Sequence, residues 1–245
     1  MSAHQAVLFD CDGVLVNSEP LTMRVLRDLL SARGWDMPLT ECMRRFVGKA
    51  TRDEATMIET RTGQPLTQEW LDYFWAERDK VLRSCLQSVP GAAAVVEHAH
   101  ALTEGRIACV SGADRAKVCM QLEKTGLQQW FDTRIFSGHE MPRNKPAPDV
   151  YLAAMHALQV KPLSCIVIED TVTGVRAGAA AGATVIGLCL PGNPVVTGAD
   201  LQAAGASVVV QGLHEIPEIL PAASQQATQT RQLPQRPYSA GRFSR

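Results

Sequence analysis

Two aspartates stand two residues apart directly after a short apolar run, within the segment AVLFDCDGVLVNSE at residues 6–19. The run predicts a buried strand, which places Asp10 and Asp12 in the turn at its carboxyl end, where α/β sheets commonly bind ligands. Two neighbouring carboxylates repel each other unless a positive charge lies between them. Mg²⁺ prefers oxygen ligands and often binds through carboxylates together with a substrate phosphate. The spacing therefore indicates a catalytic site that uses Mg²⁺.

Three other groups of polar residues lie at or just beyond predicted strand ends. Ser111 and Gly112 close a strand that ends in ACVS, and Lys145 lies in the loop RNKPAPD before a helix. Glu169 and Asp170 end the strand CIVIED. Because the carboxyl ends of parallel strands face one crevice, we expect these groups to meet near the aspartate pair.

The elements that must position these groups alternate as strands and helices do in a parallel sheet. Strands are predicted at residues 6–9, 106–111, 134–136, 165–169, 183–188 and 207–210. Helices are predicted between them at residues 92–102, 115–126, 149–158 and 172–181. We therefore expect an α/β fold with a doubly wound, Rossmann-like parallel sheet, formed by residues 1–16 and 90–221.

The stretch between the first strand and Pro90 contains helical patterns and no convincing strand. Apolar residues recur at helical spacing before Gly34, at Leu21, Val25, Leu26, Leu29 and Leu30. Further helices are predicted at residues 41–47, 53–61 and 68–86. These patterns predict a small helical cap domain inserted at residues 17–89.

Composition and charge restrict the class of protein. The chain has 245 residues, 46% of them hydrophobic and 20% charged, and a formal net charge of −1. These values are typical of a globular protein and give no global field that would attract nucleic acid or a membrane. Seven scattered cysteines without a CxxC pair indicate reduced thiols. We expect a cytoplasmic monomer that has no signal peptide and no membrane-spanning segment.

The last 24 residues differ in composition from the rest of the chain. Residues 222–245 are rich in Gln, Ser and Pro and contain four arginines and no acidic residue. Such a segment lacks the apolar residues needed for a core, so a flexible basic tail is predicted.

The polar motifs, taken in order, carry a resemblance to a known family. The segments DCDGVLVNSE, VSG, KPAPD and IEDTVTG resemble the four motifs of haloacid dehalogenase (HAD) superfamily phosphatases with a helical cap. The similarity covers roughly residues 5–190 and extends to the subgroup of β-phosphoglucomutase and phosphoglycolate phosphatase. It implies the Rossmann-like core and the inserted cap as the fold.

The resemblance also implies a role for each acidic residue. Asp10 would attack the substrate phosphorus and form an aspartyl-phosphate. Asp12 would protonate the leaving alcohol oxygen and then take a proton from the attacking water. The carboxylates of Asp10 and Asp170 and the main-chain carbonyl of Asp12 would bind Mg²⁺, with Glu169 as a further ligand.

The remaining motif residues would bind the phosphate. Ser111 and the backbone N–H of Gly112 would hold phosphate oxygens, and Lys145 would neutralise both Asp10 and the transferring phosphoryl group. Phosphoryl transfer depends mainly on positioning and on neutralising the equatorial oxygens, and these groups supply both.

The substrate is expected to be a small phosphorylated metabolite such as a sugar phosphate or sugar-acid phosphate. In the cap, Lys49 and Arg52 flank a glycine turn and are predicted to present cations to it. The alternative, a basic helix start exposed to solvent, stays open. Two residues depart from the family pattern, because Asn17 replaces a common aspartate and Asn144 replaces a common glycine. Neither change removes a reacting group.

Three other functions share parts of this pattern with net hydrolysis. A phosphosugar mutase of the β-phosphoglucomutase type is disfavoured because Thr22 occupies the place of a histidine near the cap hinge, and Arg52 lies one residue later than the mutase arginine. A phosphoacceptor signalling module would need neither Asp12 nor a helical insertion. A phosphate-binding module without activity would be expected to lack a motif residue, and none is missing.

Overall fold

A six-stranded parallel sheet forms the centre of the protein in a computed structural model that describes residues 5–220. The predicted tail at 222–245 lies outside the described residues. The strands are β1 Ala6–Phe9, β2 Ile107–Ser111, β3 Ile135–Ser137, β4 Cys165–Glu169, β5 Thr184–Leu188 and β6 Val208–Val210. Each predicted strand is therefore present, and no strand end differs from its predicted position by more than one residue.

Helices occupy the connections between these strands. The described helices are α1 Glu19–Ser31, α2 Leu39–Phe46, α3 Ala55–Thr62, α4 Gln68–Cys85, α5 Ala92–Leu102, α6 Arg115–Lys124, α7 Gln128–Phe131, α8 Asp149–Ala157, α9 Val172–Ala180 and α10 Gly198–Ala204. Short 3₁₀ turns lie at Thr51–Glu54, Gly138–Glu140, Pro162–Ser164 and Leu213–Glu215. Within residues 5–220, none of the helices has the length and apolar character needed to cross a bilayer.

The strand order determines where a ligand can bind. Neighbouring strands follow the order β3-β2-β1-β4-β5-β6, and all pairs are parallel. The chain therefore builds one half of the sheet outward from β1 and then crosses to β4 to build the other half. Doubly wound sheets bind ligands outside the carboxyl ends of the strands at this switch point. The predicted doubly wound α/β fold is confirmed, and β1 and β4 frame the crevice.

Successive strand residues pack on opposite faces of the sheet. In β1, Val7 and Phe9 belong to one buried cluster with α5 and α6, while Ala6 and Leu8 belong to another with α8 and α9. This alternation follows from the period of two along a strand. Because both faces are covered by helices, polar side chains that follow the strands are confined to the edge of the sheet.

Helices α1–α4 form a separate packing unit, with its own buried cluster that includes Leu26, Phe46, Ile58 and Phe74. The two chain segments that connect this unit to the sheet run side by side. The Asn17 N–H donates to the Gln87 carbonyl at 3.0 Å, and the Val89 N–H donates to the Leu15 carbonyl at 3.0 Å. The helical insertion is thus present, and the domain boundaries at 17 and 89 stay a prediction.

Two helices were missed in the sequence. Helix α7 is a single turn, too short for a periodic pattern. Helix α10 begins with a capping box in which the side chain of Thr197 accepts from the Asp200 N–H and the Asp200 side chain accepts from the Thr197 N–H. A threonine followed three residues later by an acid is a known helix start, so the sequence did contain this indication.

Candidate active site

Lys145 forms hydrogen bonds to residues at or near the carboxyl ends of three strands. Its Nζ donates to Asp10 Oδ1 at 2.6 Å, to Glu169 Oε1 at 2.7 Å and to the Val110 carbonyl at 3.0 Å. Its side chain is only 7% exposed. These bonds join residues that follow or end β1, β4 and β2, so the structure brings the predicted lysine, nucleophile and acid pair together at the carboxyl edge of the sheet.

Glu169 is held by donors on both of its carboxylate oxygens. Oε1 accepts from Lys145 and from the hydroxyl of Tyr151 at 3.1 Å. Oε2 accepts from the Asp170 N–H and from both the N–H and the hydroxyl of Thr171, each at 3.0 Å. A buried carboxylate with this many donors has little freedom to move, and its fixed position orients Lys145. The sequence did not indicate the contact from Tyr151.

Three buried carboxylates could hold a metal ion. Asp10, Glu169 and Asp170 offer ligand oxygens that all lie within 4.8 Å of one another. Asp170 Oδ1 is buried and has no hydrogen-bond partner within residues 5–220. A buried carboxylate oxygen without a partner is expected where a cation binds, and a set of oxygen donors suits Mg²⁺. The residues present therefore fit the predicted ion. The main-chain role of Asp12 stays a prediction.

Burial has opposite consequences for the acids and the lysine of this cluster. Burial raises the pKa of Asp10 to about 8, against the opposing charge of Lys145. Burial, together with the charges of Glu19 and Glu169, holds the pKa of Asp170 well above its usual range. Burial alone would lower the pKa of Lys145, but the carboxylates of Asp10 and Glu169 keep it well above its ordinary value. The cluster therefore contains one ammonium group, and the raised pKa values of Asp10 and Asp170 indicate that a further positive charge would stabilise their ionised forms.

Asp12 lies in a different environment from Asp10. Its Oδ1 accepts hydrogen bonds from Lys117 Nζ at 2.9 Å, from Gln121 Nε2 at 2.8 Å and from the hydroxyl of Ser18. Burial alone would raise the pKa of Asp12, but the charge of Lys117 and these hydrogen bonds lower it to about 2. The surroundings of these two aspartates, which are separated by one residue, therefore shift their pKa values in opposite directions.

Sequence reasoning missed the residues that surround Asp12. Gln121 lies on the buried face of α6 with Val118 and Leu122, and a glutamine on an apolar helix face is an indication that the sequence did contain. Ser18 and Lys117 carried no such indication, because their contacts with Asp12 arise only from tertiary packing.

The predicted phosphate-binding residues lie beside Lys145. Ser111 is buried, and its hydroxyl accepts from the Ala113 N–H at 3.0 Å. The carbonyl of Gly112 accepts from Asn144 Nδ2 at 2.8 Å, and Asn144 Oδ1 accepts from the Lys145 N–H at 2.8 Å. Asn144, one of the two departures from the family pattern, therefore ties the lysine loop to the turn after β2.

The cap cations Lys49 and Arg52 make their described contacts inside the cap. Lys49 Nζ lies 3.1 Å from Glu54 Oε1, and the guanidinium of Arg52 donates to Gln68 Oε1 at 2.6 Å. The same guanidinium lies 5.9 Å from the centre of the Trp75 ring. The structure does not bring either cation to the Asp10 cluster.

Comparison with known proteins places this geometry in a family. The sequence model of the haloacid dehalogenase-like hydrolase family matches residues 4–182 of this chain. The chain belongs to the haloacid dehalogenase-like hydrolases. This HAD-like hydrolase is 29% identical over 190 residues to the 6-phosphogluconate phosphatase of Escherichia coli K12, an alignment that covers 77% of this chain and 84% of that protein.

Solved structures agree with the assignment. A HAD family hydrolase from Deinococcus radiodurans R1, solved with bound phosphate and sodium, superposes with a TM-score of 0.76 and 32% identity. That similarity covers 91% of this chain and 97% of the other. A putative β-phosphoglucomutase from Thermotoga maritima gives a TM-score of 0.73 at 25% identity, over 89% of this chain and 99% of the other.

The family and its members establish the class of reaction. This HAD-like hydrolase is a phosphoric monoester hydrolase, and the resemblance of its four motifs to that family is confirmed. The signalling module is left without support, because an acid–base candidate and a helical insertion are both present. The hydrolase family assignment speaks against a binding module without activity.

Proposed function

We propose that the protein is a Mg²⁺-dependent phosphatase that hydrolyses a small phosphorylated metabolite of the sugar or sugar-acid type through an aspartyl-phosphate on Asp10. The observation that carries this proposal is the bridge formed by Lys145 between Asp10 and Glu169. A buried ammonium group beside a buried carboxylate allows that carboxylate to approach a phosphate dianion, which it would otherwise repel.

The first half of the reaction transfers the phosphoryl group to the enzyme. A carboxylate oxygen of Asp10 forms a bond to phosphorus while the bond from phosphorus to the alcohol oxygen breaks. Because the pKa of Asp12 is about 2 without substrate, Asp12 must bind a proton before this step, and the negative charge of a bound phosphate ester favours that uptake. Asp12 then gives this proton to the departing oxygen, so that a neutral alcohol leaves. Lys145 and the backbone around Ser111 and Gly112 hold the phosphoryl oxygens as charge moves between them.

The second half returns the enzyme to its starting state. Asp12, now ionised, takes a proton from a water molecule whose oxygen attacks phosphorus. The bond between phosphorus and Asp10 breaks, inorganic phosphate is released and the carboxylate of Asp10 is restored. The hydrogen bonds that Asp12 receives favour its ionised form and therefore support this half of the cycle.

The carboxylates of Asp10 and Asp170, with the main-chain carbonyl of Asp12, would hold Mg²⁺. The ion supplies positive charge that offsets the charge of the phosphoryl group. Asp170 Oδ1 has no hydrogen-bond partner within the described residues and is free for this purpose. Both oxygens of Glu169 already accept hydrogen bonds, so we assign Glu169 first to holding Lys145 and second to the ion.

The class of substrate rests on the relatives. The 6-phosphogluconate phosphatase acts on the phosphate ester of a sugar acid, and the cap would exclude water around a ligand of that size. We therefore place sugar-acid and sugar phosphates first among the substrates to be tested.

A phosphosugar mutase is the second candidate, favoured by the similarity to a putative β-phosphoglucomutase. Against it stands Thr22, whose hydroxyl is buried and has no hydrogen-bond partner within residues 5–220. A threonine hydroxyl does not act as an acid or base near neutral pH, as the histidine of the mutase pattern can. In a mutase the phosphoryl group would go to a second sugar hydroxyl instead of water.

The proposal is tested by measuring phosphate release from a panel of sugar phosphates, sugar-acid phosphates and simple phosphate esters. We expect release that requires Mg²⁺, stops with excess EDTA and returns when Mg²⁺ is restored. Asp10→Asn should abolish turnover while preserving the circular dichroism spectrum, since an amide is a poor nucleophile.

Two results would contradict the proposal. Turnover by Asp10→Asn close to that of the wild type would exclude the covalent step, and release that persists in EDTA would exclude the metal dependence. Formation of an isomeric phosphosugar without inorganic phosphate, followed by ³¹P NMR, would favour the mutase instead.

A further inference from the structure

Helix α6 presents two polar side chains to the carboxylate of Asp12. Lys117 and Gln121 lie four residues apart, which places them on one face of the helix. Lys117 Nζ and Gln121 Nε2 both donate to Asp12 Oδ1, at 2.9 and 2.8 Å, and Ser18 donates to the same oxygen. Asp12 Oδ2 accepts no hydrogen bond from the residues that the structure describes. One oxygen of the acid is anchored and the other is left for chemistry.

The anchor is built into the core of the protein. Gln121 is fully buried, and its Oε1 accepts from the Cys11 thiol at 3.5 Å, so that both ends of the amide have partners and its orientation is fixed. The side chain of Lys117 is 12% exposed, and its own backbone N–H donates to the side chain of Asp114, which caps α6. Burying an amide and an ammonium group is costly unless they are paired. Their common target is Asp12.

We propose that Lys117 and Gln121 are positioning residues that fix Asp12 Oδ1, so that Asp12 Oδ2 faces the leaving-group oxygen and the attacking water. This inference rests on the proposed function, because it assigns them a task only if Asp12 is the acid–base group. Neither residue needs to touch the substrate. A displacement of a reacting group by about 1 Å can cost on the order of a hundredfold in rate, which is why an acid on a turn needs such an anchor.

A double-mutant cycle with Asp12 tests the inference on the best substrate of the panel. Lys117→Met removes the ammonium group and keeps most of the side-chain volume, and we expect kcat/KM to fall about tenfold or more. In an Asp12→Asn background the same change should have almost no effect, because the group that Lys117 positions is already lost. Lys117→Arg, which retains a charged donor, should recover part of the activity.

The leaving group provides a second measurement, with simple aryl phosphates as probes. Phenyl phosphate needs a proton on its departing oxygen, whereas 2,4-dinitrophenyl phosphate does not. We expect Lys117→Met and Gln121→Leu to lower kcat/KM for phenyl phosphate more than for the dinitrophenyl ester, by about tenfold in the ratio. The ratio is taken within one preparation and is therefore independent of the fraction of folded enzyme.

Lys124→Met is the matched control, because Lys124 is an exposed lysine at the end of the same helix. It should leave kcat/KM and the ratio unchanged. The inference is overturned if Lys117→Met lowers kcat/KM equally in the wild-type and Asp12→Asn backgrounds, or if both aryl esters lose activity equally. If the wild type releases no phosphate from any ester, the proposed function itself is overturned, and the inference with it. Selective loss would support both.

Discussion

The sheet edge and the helical cap use their cations in different ways. At the sheet edge, Lys145 is 7% exposed and contacts Asp10, which lies 135 residues away in the sequence. In the cap, Lys49 is 49% exposed and pairs with Glu54, while Arg52 contacts Gln68, 16 residues away. The first arrangement requires the whole fold, and the second requires only neighbouring helices.

The difference in burial between these cations predicts how strongly a substitution at each of them affects catalysis. A buried charge carries a desolvation cost that only a fixed set of partners offsets, so changes there are expected to be large. An exposed ion pair contributes roughly 0–1 kcal/mol and is readily replaced by water. We therefore expect catalysis to depend on the sheet edge and to respond little to single changes among the cap cations. Three variants test this expectation, in decreasing order of expected effect.

The largest effect is expected from Lys145→Met. Methionine retains the apolar stem but leaves Asp10 and Glu169 without their shared ammonium group. Loss of one preorganised donor at a reacting oxyanion costs on the order of a hundredfold or more in kcat. Steady-state kinetics on the best substrate, with saturating Mg²⁺, provide the measurement.

The control for that variant is Lys161→Met, which removes an exposed lysine just before the 3₁₀ turn that leads into β4. It should retain full activity. If Lys145→Met changed only the melting temperature, the lysine would have a structural task and the contrast between edge and cap would fail.

An intermediate effect is expected from Gly174→Ala in α9. A Cβ at this position would overlap the carboxylate of Glu169, which must then move away from Lys145. Such overpacking typically costs about 1–3 kcal/mol of stability. We also expect kcat/KM to fall about tenfold, because the orientation of Lys145 depends on Glu169.

Gly178→Ala is the matched control on the same helix. Its Cβ would lie 3.1 Å from Val167 Cγ1 and Val185 Cγ2, in the apolar layer below the site. It should lower the unfolding free energy, measured with urea, while kcat/KM stays near the wild-type value. Equal losses of activity in both variants would mean that general packing, and not the position of Glu169, determines the rate.

Much of this edge could be predicted from the sequence because its residues follow apolar strands. The runs before Asp10 and Glu169 are buried on both faces of the sheet and therefore lack charged residues that would obscure the pattern. The contacts of Ser18 and Lys117 with Asp12 could not be predicted in this way. Lys117 is 105 residues from Asp12, and the contact exists only because α6 packs beside β1.

In the cap, the helices could be predicted from the sequence, but the contacts of the cations could not. Its helices are present as predicted, and Trp70 and Trp75 pack against its buried cluster. The directions in which its cations point depend on how its helices pack against one another, and the sequence pattern does not specify that packing. The choice for Lys49 and Arg52 between a substrate contact and a solvent-exposed basic helix start therefore could not be made from the sequence, and it stays a prediction.

The smallest effect is expected from the double variant Lys49→Ala with Arg52→Ala. Both residues are exposed, and their partners Glu54 and Gln68 belong to the cap. If they only attract an anionic substrate toward the cap, kcat should stay constant and KM should rise by no more than about fivefold, an effect that added salt reduces. Kinetics at low and high ionic strength measure this.

Arg61→Ala serves as the control for loss of an exposed cation in the cap. A hundredfold fall in kcat for Lys49→Ala with Arg52→Ala, matching that of Lys145→Met, would show that the cap cations reach the phosphate when the cap closes. In that case the division of labour between sheet edge and cap would have to be given up, because both regions would act on the transferring group. A rise in KM that disappears at high salt would instead confine the cap cations to attracting the substrate.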